Sequence, residues 1–179
     1  PNLFRRMLGE GALTSAIVPI FSEVLERDGR AVAFRFLNQV LLRLFVILLL
    51  IIVLGICLLN WVNFSGYLPD RWASCLSLTA WLLPYMLFIC LAAILSAVLN
   101  LVGRFAIAAS TPVLLNFVMI IALSAGLCLE TEAARTVHWL CVAVLVGGVL
   151  QLLLPTIDLL KQGWRPQFEP KSSEALKEL

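Results

Sequence analysis

Arg5 and Arg6 are adjacent cations at the start of a chain that is otherwise strongly apolar, and Glu10 follows Arg6 by four positions. Guanidiniums on a partly transmembrane segment need an anion, a carboxylate or water as partner. Successive helical positions differ by about 100°, so the two arginines are not expected to share one task. Arg5 lies on a stripe with Gly9, Ala12 and Ala16, a small-residue face suited to the wall of a cavity. Two readings stand for it: a planar fork that holds a phosphate in bidentate fashion, or a side chain at an interfacial helix end that snorkels to headgroups. Arg6 and Glu10 have the spacing of an internal ion pair, although the arginine-first order is the weaker one on dipole grounds. Glu10 then either fixes Arg6 or titrates during a transport cycle.

Asn116 stands inside an apolar run, where an unbonded amide is costly, so it is expected to bond a neighbouring helix or to face a cavity. Gln151 and Asp158 flank Pro155, and either is placed to compensate the broken backbone ladder, with Asp158 near enough to the membrane edge to stay hydrated. Arg104 reads as a headgroup anchor, Asn100 as a helix-end residue and His138 as an interfacial hydrogen-bonding residue. Cys57, Cys75, Cys90, Cys128 and Cys141 match no zinc or CxxC spacing and read as small packing residues. No nucleophile with its base, glycine-rich phosphate loop or paired-carboxylate motif is present, so neither an enzyme nor a cofactor is expected. The net charge of +2 gives no reason to expect a nucleic-acid partner.

The elements that must position these groups follow from composition. The chain has 179 residues, 61% of them hydrophobic and 13% charged, with a mean hydropathy of +1.00. Typical soluble domains carry roughly 25% charged residues, so a soluble globular fold is excluded. Leu44 to Pro69, Trp72 to Gly103, Phe105 to Leu129 and Thr136 to Pro155 carry no charge. Each reaches the roughly 20 residues that a helix needs to cross a bilayer core. Membrane strands would alternate apolar and polar positions, whereas residues 41–59 are apolar almost throughout.

Five helices are expected, over about 1–27, 31–61, 70–100, 111–129 and 132–160. The remainder, 161–179, reads as a membrane-surface linker that enters another helix from Ser173. Asp70 is placed to cap the third helix, Ser110, Thr111 and Pro112 to start the fourth, and Glu132 to suit the dipole of the fifth. Pro84 and Pro155 should bend their helices, while Gly147 and Gly148 permit close helix approach. Nine lysines and arginines fall on one side (Arg27, Arg30, Arg35, Arg43, Arg104, Lys161, Arg165, Lys171 and Lys177), against Arg71 and Arg135 on the other. By the positive-inside rule the 27–30 and 103–104 connections and the tail are cytoplasmic. No signal peptide is recognisable, and a chain opening at Pro1 without a methionine is expected to be cut at both ends.

The segments PNLFRRMLGEGALTSAIVPIFSEV, PYMLFICLAAILSAVLN, GRFAIAASTPVLLN and VLVGGVLQLLLP occur in this order. Their order and spacing resemble the MurJ/MviN-type lipid II flippases, within the wider superfamily of multidrug, oligosaccharide-lipid and polysaccharide exporters. The resemblance covers nearly the whole chain. It departs from the family at LTSAIVP, where a form such as FSQAFVP is more typical, and in a short acidic connection before the last helix.

What the resemblance implies is an all-α, polytopic membrane helix bundle that forms a partial first lobe of a two-lobed flippase with fourteen helices. Residues 1–160 would hold most of helix two and helices three to six, and 161–179 the cytoplasmic linker toward the absent second lobe. Transfer of a polyprenyl-pyrophosphate-linked peptidoglycan precursor, lipid II, across the bacterial cytoplasmic membrane by alternating access is the implied activity. Flipping of another lipid-linked saccharide, a non-transporting structural bundle, and a membrane enzyme acting on a lipid phosphate are the alternatives. By likeness Arg5 matches the cavity arginine of the family signature and is the substrate-binding candidate. Arg6, Glu10 and Asn116 are assigned to cavity or gate support. The implied partners are the lipid-linked precursor, membrane lipids, and the missing first helix and second lobe of the same protein.

Overall fold

The computed structural model describes residues 12–64, 69–128 and 133–167. They form five helices: α1 (Ala12–Arg27), α2 (Arg30–Phe64), α3 (Asp70–Leu101), α4 (Phe105–Cys128) and α5 (Ala133–Lys161). Among the described residues α2, most of α3, α4 and most of α5 are long and apolar enough to cross a membrane. The chain is an all-α polytopic bundle, as its composition predicts.

The central helix is α3, which packs on each of the other four, while α5 also lies along α4 and α1 along α2. Side chains from α1 (Phe21), α2 (Phe36, Leu37, Leu48), α3 (Ile94, Leu99) and the end of α5 (Leu159) are fully buried in one cluster. Outside that cluster the helices expose large apolar residues such as Leu54, Trp61, Phe117 and Leu127. So large an apolar surface is unstable in water and is the surface that lipid tails cover.

Helix ends within the described residues lie within a few residues of the expected ranges, except the start of α4; the expected start of the first helix, near 1, lies outside them. That helix begins at Phe105 rather than 111, so Pro112 lies well inside it instead of opening it. The reason is local. Pro112 cannot donate to the Ala108 carbonyl one turn back, but Thr111 Oγ1 donates to that oxygen at 2.6 Å and Ser110 Oγ donates to the Ile107 carbonyl at 2.8 Å. The two hydroxyls expected to cap a helix start instead bond back inside it, and that of Thr111 fills the gap left by Pro112. Similarly, α3 begins at Asp70 with Pro69 in the capping position, so Asp70 is not the cap, and α3 runs unbroken through Pro84.

Two helix ends share one device. After α3, Gly103 takes φ +79° and the Arg104 amide donates to the Leu99 carbonyl; after α5, Gly163 takes φ +94° and the Trp164 amide donates to Leu159. In both the left-handed glycine closes the last turn and reverses the chain. The residue after each glycine is thereby thrown back across the bundle, which decides what Arg104 and Trp164 touch.

Candidate functional site: an open face and its supports

Arg5, Arg6 and Glu10 lie outside the described residues. Their helix is described from Ala12, and its packing has a clear phase. Ile17, Phe21 and Val24 are buried, whereas Ala16, Pro19 and Glu23 are exposed. Positions 16, 19 and 23 continue the stripe of Arg5, Gly9 and Ala12 at helical spacing. The described part of that stripe, residues 16–23, therefore faces away from the packed core of α1, α2 and α3.

The other open face belongs to α4. Only 6% of its apolar window is buried, and Val113, Phe117, Ile120 and Asn116 are all exposed. The bond from Asn116 to a neighbouring helix that its sequence context predicts is not formed among the described residues, because its side chain lies on the side of α4 turned away from α3 and α5.

Three polar links hold the helices that carry these faces. In the first, Gln151 Nε2 donates to the Thr111 carbonyl at 2.7 Å and Tyr85 Oη donates to Gln151 Oε1 at 3.3 Å, joining α3, α4 and α5 in the bundle interior. Gln151 therefore crosses to a partner helix rather than mending the ladder at Pro155. Gly147 and Gly148 allow this proximity. A Cβ on Gly148 would stand 2.8 Å from Tyr85 Cδ2, and one on Gly147 would stand 2.6 Å from Leu115 Cδ1.

In the second link, Arg104 Nη2 donates to Asp158 Oδ1 at 2.6 Å and Nε to Oδ2 at 3.0 Å, a bidentate pair that ties the α3–α4 turn to α5. Gln162 Nε2 adds a third donor to Asp158 at 3.2 Å. Arg104 is thus not free for headgroups, and the Asp158 side chain is 5% exposed rather than hydrated. The hydrogen bond to Asp158 raises the already high pKa of Arg104, which stays protonated at any physiological pH.

The third link was not legible as a site. Trp164 Nε1 donates to Asn38 Oδ1 at 2.8 Å and Asn38 Nδ2 donates to the Arg165 carbonyl at 2.9 Å. The start of the expected linker is thereby folded onto α2, with Trp164 buried. The signal available was the same as for Asn116: one amide in an apolar helix needs a partner.

Of the five cysteines, Cys90 and Cys141 are buried packing residues as expected, whereas Cys57, Cys75 and Cys128 are exposed. His138 is exposed on the first turns of α5. Among the described residues no cluster of histidine, cysteine or carboxylate is arranged to hold a metal ion.

A bundle of bilayer-length helices, apolar on its outside and internally braced by polar links, defines a polytopic helical membrane protein. The family model described as Lipid II flippase MurJ matches residues 1–179. The chain is 36% identical over 187 residues to a probable lipid II flippase MurJ of Rhizobium tropici, covering 98% of this chain and 35% of that protein. It is 36% identical over 159 residues to the lipid II flippase MurJ of Burkholderia cenocepacia, covering 86% of this chain and 30% of that protein. The chain belongs to the MurJ family and is a multi-pass protein of the bacterial cytoplasmic membrane. It spans about a third of the length of these relatives.

Proposed function

We propose that the complete protein moves a polyprenyl-pyrophosphate-linked peptidoglycan precursor across the cytoplasmic membrane by alternating access, and that this chain supplies five helices of its first lobe. Residues 1–160 form that partial lobe, and 161–179 lead toward the second. Arg5 holds the pyrophosphate, and Arg6, Glu10 and Asn116 support the cavity or its gate.

The observation that carries this reading is the phase of α1. Ala16, Pro19 and Glu23, on the stripe that contains Arg5, face away from the core. An arginine that continues this phase would meet whatever fills the space between lobes, and a guanidinium there offsets the desolvation of a phosphate. The lipid tail stays in the membrane, so the protein needs to shelter only the headgroup while its lobes rock. Neither covalent chemistry nor a nucleotide is required.

The test is Arg5→Ala in the full-length protein at matched expression, with translocation followed for lipid II and for a second polyprenyl-pyrophosphate saccharide. A loss of at least tenfold for lipid II supports the assignment. Unchanged lipid II transfer refutes the role of Arg5, and faster transfer of the second saccharide by the wild type refutes the substrate.

A further inference from the structure

A groove of about 310 Å³ runs over α3 between α2 and α5. Leu91 and Leu95 of α3 form its floor, Leu41, Leu42 and Phe45 of α2 one wall, and Leu152 of α5 the other; Trp164 and Pro166 close one end. Its volume is at the lower limit of the roughly 300–1,000 Å³ usual for small-ligand sites. We propose that this groove holds one acyl chain of an anionic phospholipid of the cytoplasmic leaflet, with Arg35 and Arg165 receiving its phosphate.

The interior suits a hydrocarbon. Asn38 on its wall already uses Oδ1 for Trp164 and Nδ2 for the Arg165 carbonyl, and the Thr156 hydroxyl donates to the Leu152 carbonyl at 2.6 Å. A polar ligand placed there would lose its water and gain little in return. A chain lying on Leu42, Leu91 and Leu95 meets only carbon, and the one further polar residue of the lining, Gln167, follows Pro166 at the end where the headgroup would sit. The flanks are apolar and open, with Phe45, Leu49, Leu153 and Leu160 exposed, so a lipid tail enters sideways from the bilayer.

The rim suits an anion. Arg35 precedes Asn38 by one helical turn on the same stripe of α2, and the backbone of Arg165 is bonded to Asn38 itself. Two exposed arginines therefore flank in sequence the residues at the end of the groove, Arg35 one turn before Asn38 and Arg165 between Trp164 and Pro166, and neither has an ion-pair partner among the described residues. No acidic residue lies on α2 or in residues 162–167 to neutralise them, and Asp158 of α5 is engaged by Arg104. This is the end assigned to the cytoplasm by the distribution of lysine and arginine, where anionic lipids are enriched. A helix seated here would have to supply carboxylates for both cations, whereas an anionic phospholipid brings its own phosphate.

The experiment uses the full-length protein in vesicles containing phosphatidylglycerol with a photoreactive acyl chain, and separately the matching phosphatidylcholine probe. Crosslinked peptides are mapped by mass spectrometry. Labelling of the α2 and α3 segments around Leu42 and Leu95 by the glycerol lipid is expected, competed by unlabelled phosphatidylglycerol and not by phosphatidylcholine. The double variant R35Q/R165Q, altered only at exposed side chains, is expected to reduce labelling about tenfold. Leu42→Trp, which fills the mouth without touching the cations, is expected to abolish it. Equal labelling by both probes, labelling unchanged in R35Q/R165Q, no labelling of these segments, or competition by a polyprenyl pyrophosphate in place of phosphatidylglycerol would each overturn the proposal. None of these readouts depends on transport.

Discussion

Replacing Gly148 by alanine is expected to loosen the α3–α5 contact, although alanine is the better helix former by about 1 kcal/mol. The added methyl stands 2.8 Å from Tyr85 Cδ2 and 3.2 Å from Phe88 Cδ2. A ring carbon does not swing aside as a terminal methyl does, and Tyr85 is held by its hydrogen bond to Gln151. Relief requires moving the ring and stretching that bond. Overpacking costs about 1–3 kcal/mol, and an interhelical hydrogen bond in a membrane is worth about 0.6 kcal/mol on average. After the helix-propensity gain, the net loss is about 0.5–2.5 kcal/mol. At Gly147 the closer contact, 2.6 Å, is with a Leu115 methyl that can rotate away, so Gly147→Ala should cost less despite the shorter distance. At Gly55 the nearest atom is a Leu83 methyl at 3.2 Å, and alanine there should be neutral or stabilising. Thermal unfolding of the three full-length variants in one detergent should rank Gly148→Ala below Gly147→Ala, and both below Gly55→Ala. Equal stability of Gly148→Ala and Gly55→Ala would refute the packing argument.

Other outcomes follow from the three links. Arg104→Gln strands a buried carboxylate with Gln162 as its remaining side-chain donor, whereas Asp158→Asn leaves a half-exposed arginine free to hydrate, so Arg104→Gln should lower the melting temperature more. Equal effects would contradict that asymmetry. Asn38→Leu leaves the buried Trp164 indole N–H without an acceptor, at a cost of about 1–3 kcal/mol, and hydrogen exchange should rise in residues 160–167 first. Thr111→Val removes the donor to the Ala108 carbonyl and should cost about 1 kcal/mol; adding Pro112→Ala, which restores a backbone donor, should recover most of it.

The spans were legible because charge-free runs of bilayer length admit few alternatives. The close approach at Gly147 and Gly148 was legible for a related reason, since small residues carry their packing role at any partner. Directions of polar side chains were not. Ser110, Thr111 and Pro112 read as a helix start because capping hydroxyls and hydroxyls that repair a proline gap have the same local sequence; only the turn at Gly103 separates the cases. Arg104 and Trp164 each follow a left-handed glycine, and their partners Asp158 and Asn38 are far away in sequence, so no local pattern pairs them. Gln151 was read as compensating the Pro155 gap, but its choice of Thr111 instead depends on helix packing. Asn116 was expected either to bond a neighbouring helix or to face a cavity, and its exposed position on α4 leaves the second.

The claim on which the functional reading depends is that the Arg5 stripe borders the space where the substrate headgroup travels. Cysteine accessibility tests it in the full-length protein, with Ala16→Cys on that stripe and Ile17→Cys on the buried face as its control. The account predicts that a membrane-impermeant maleimide modifies Ala16→Cys, that added lipid II slows this modification, and that Ile17→Cys stays unreactive. An unreactive Ala16→Cys, or one whose reactivity lipid II leaves unchanged, would contradict it.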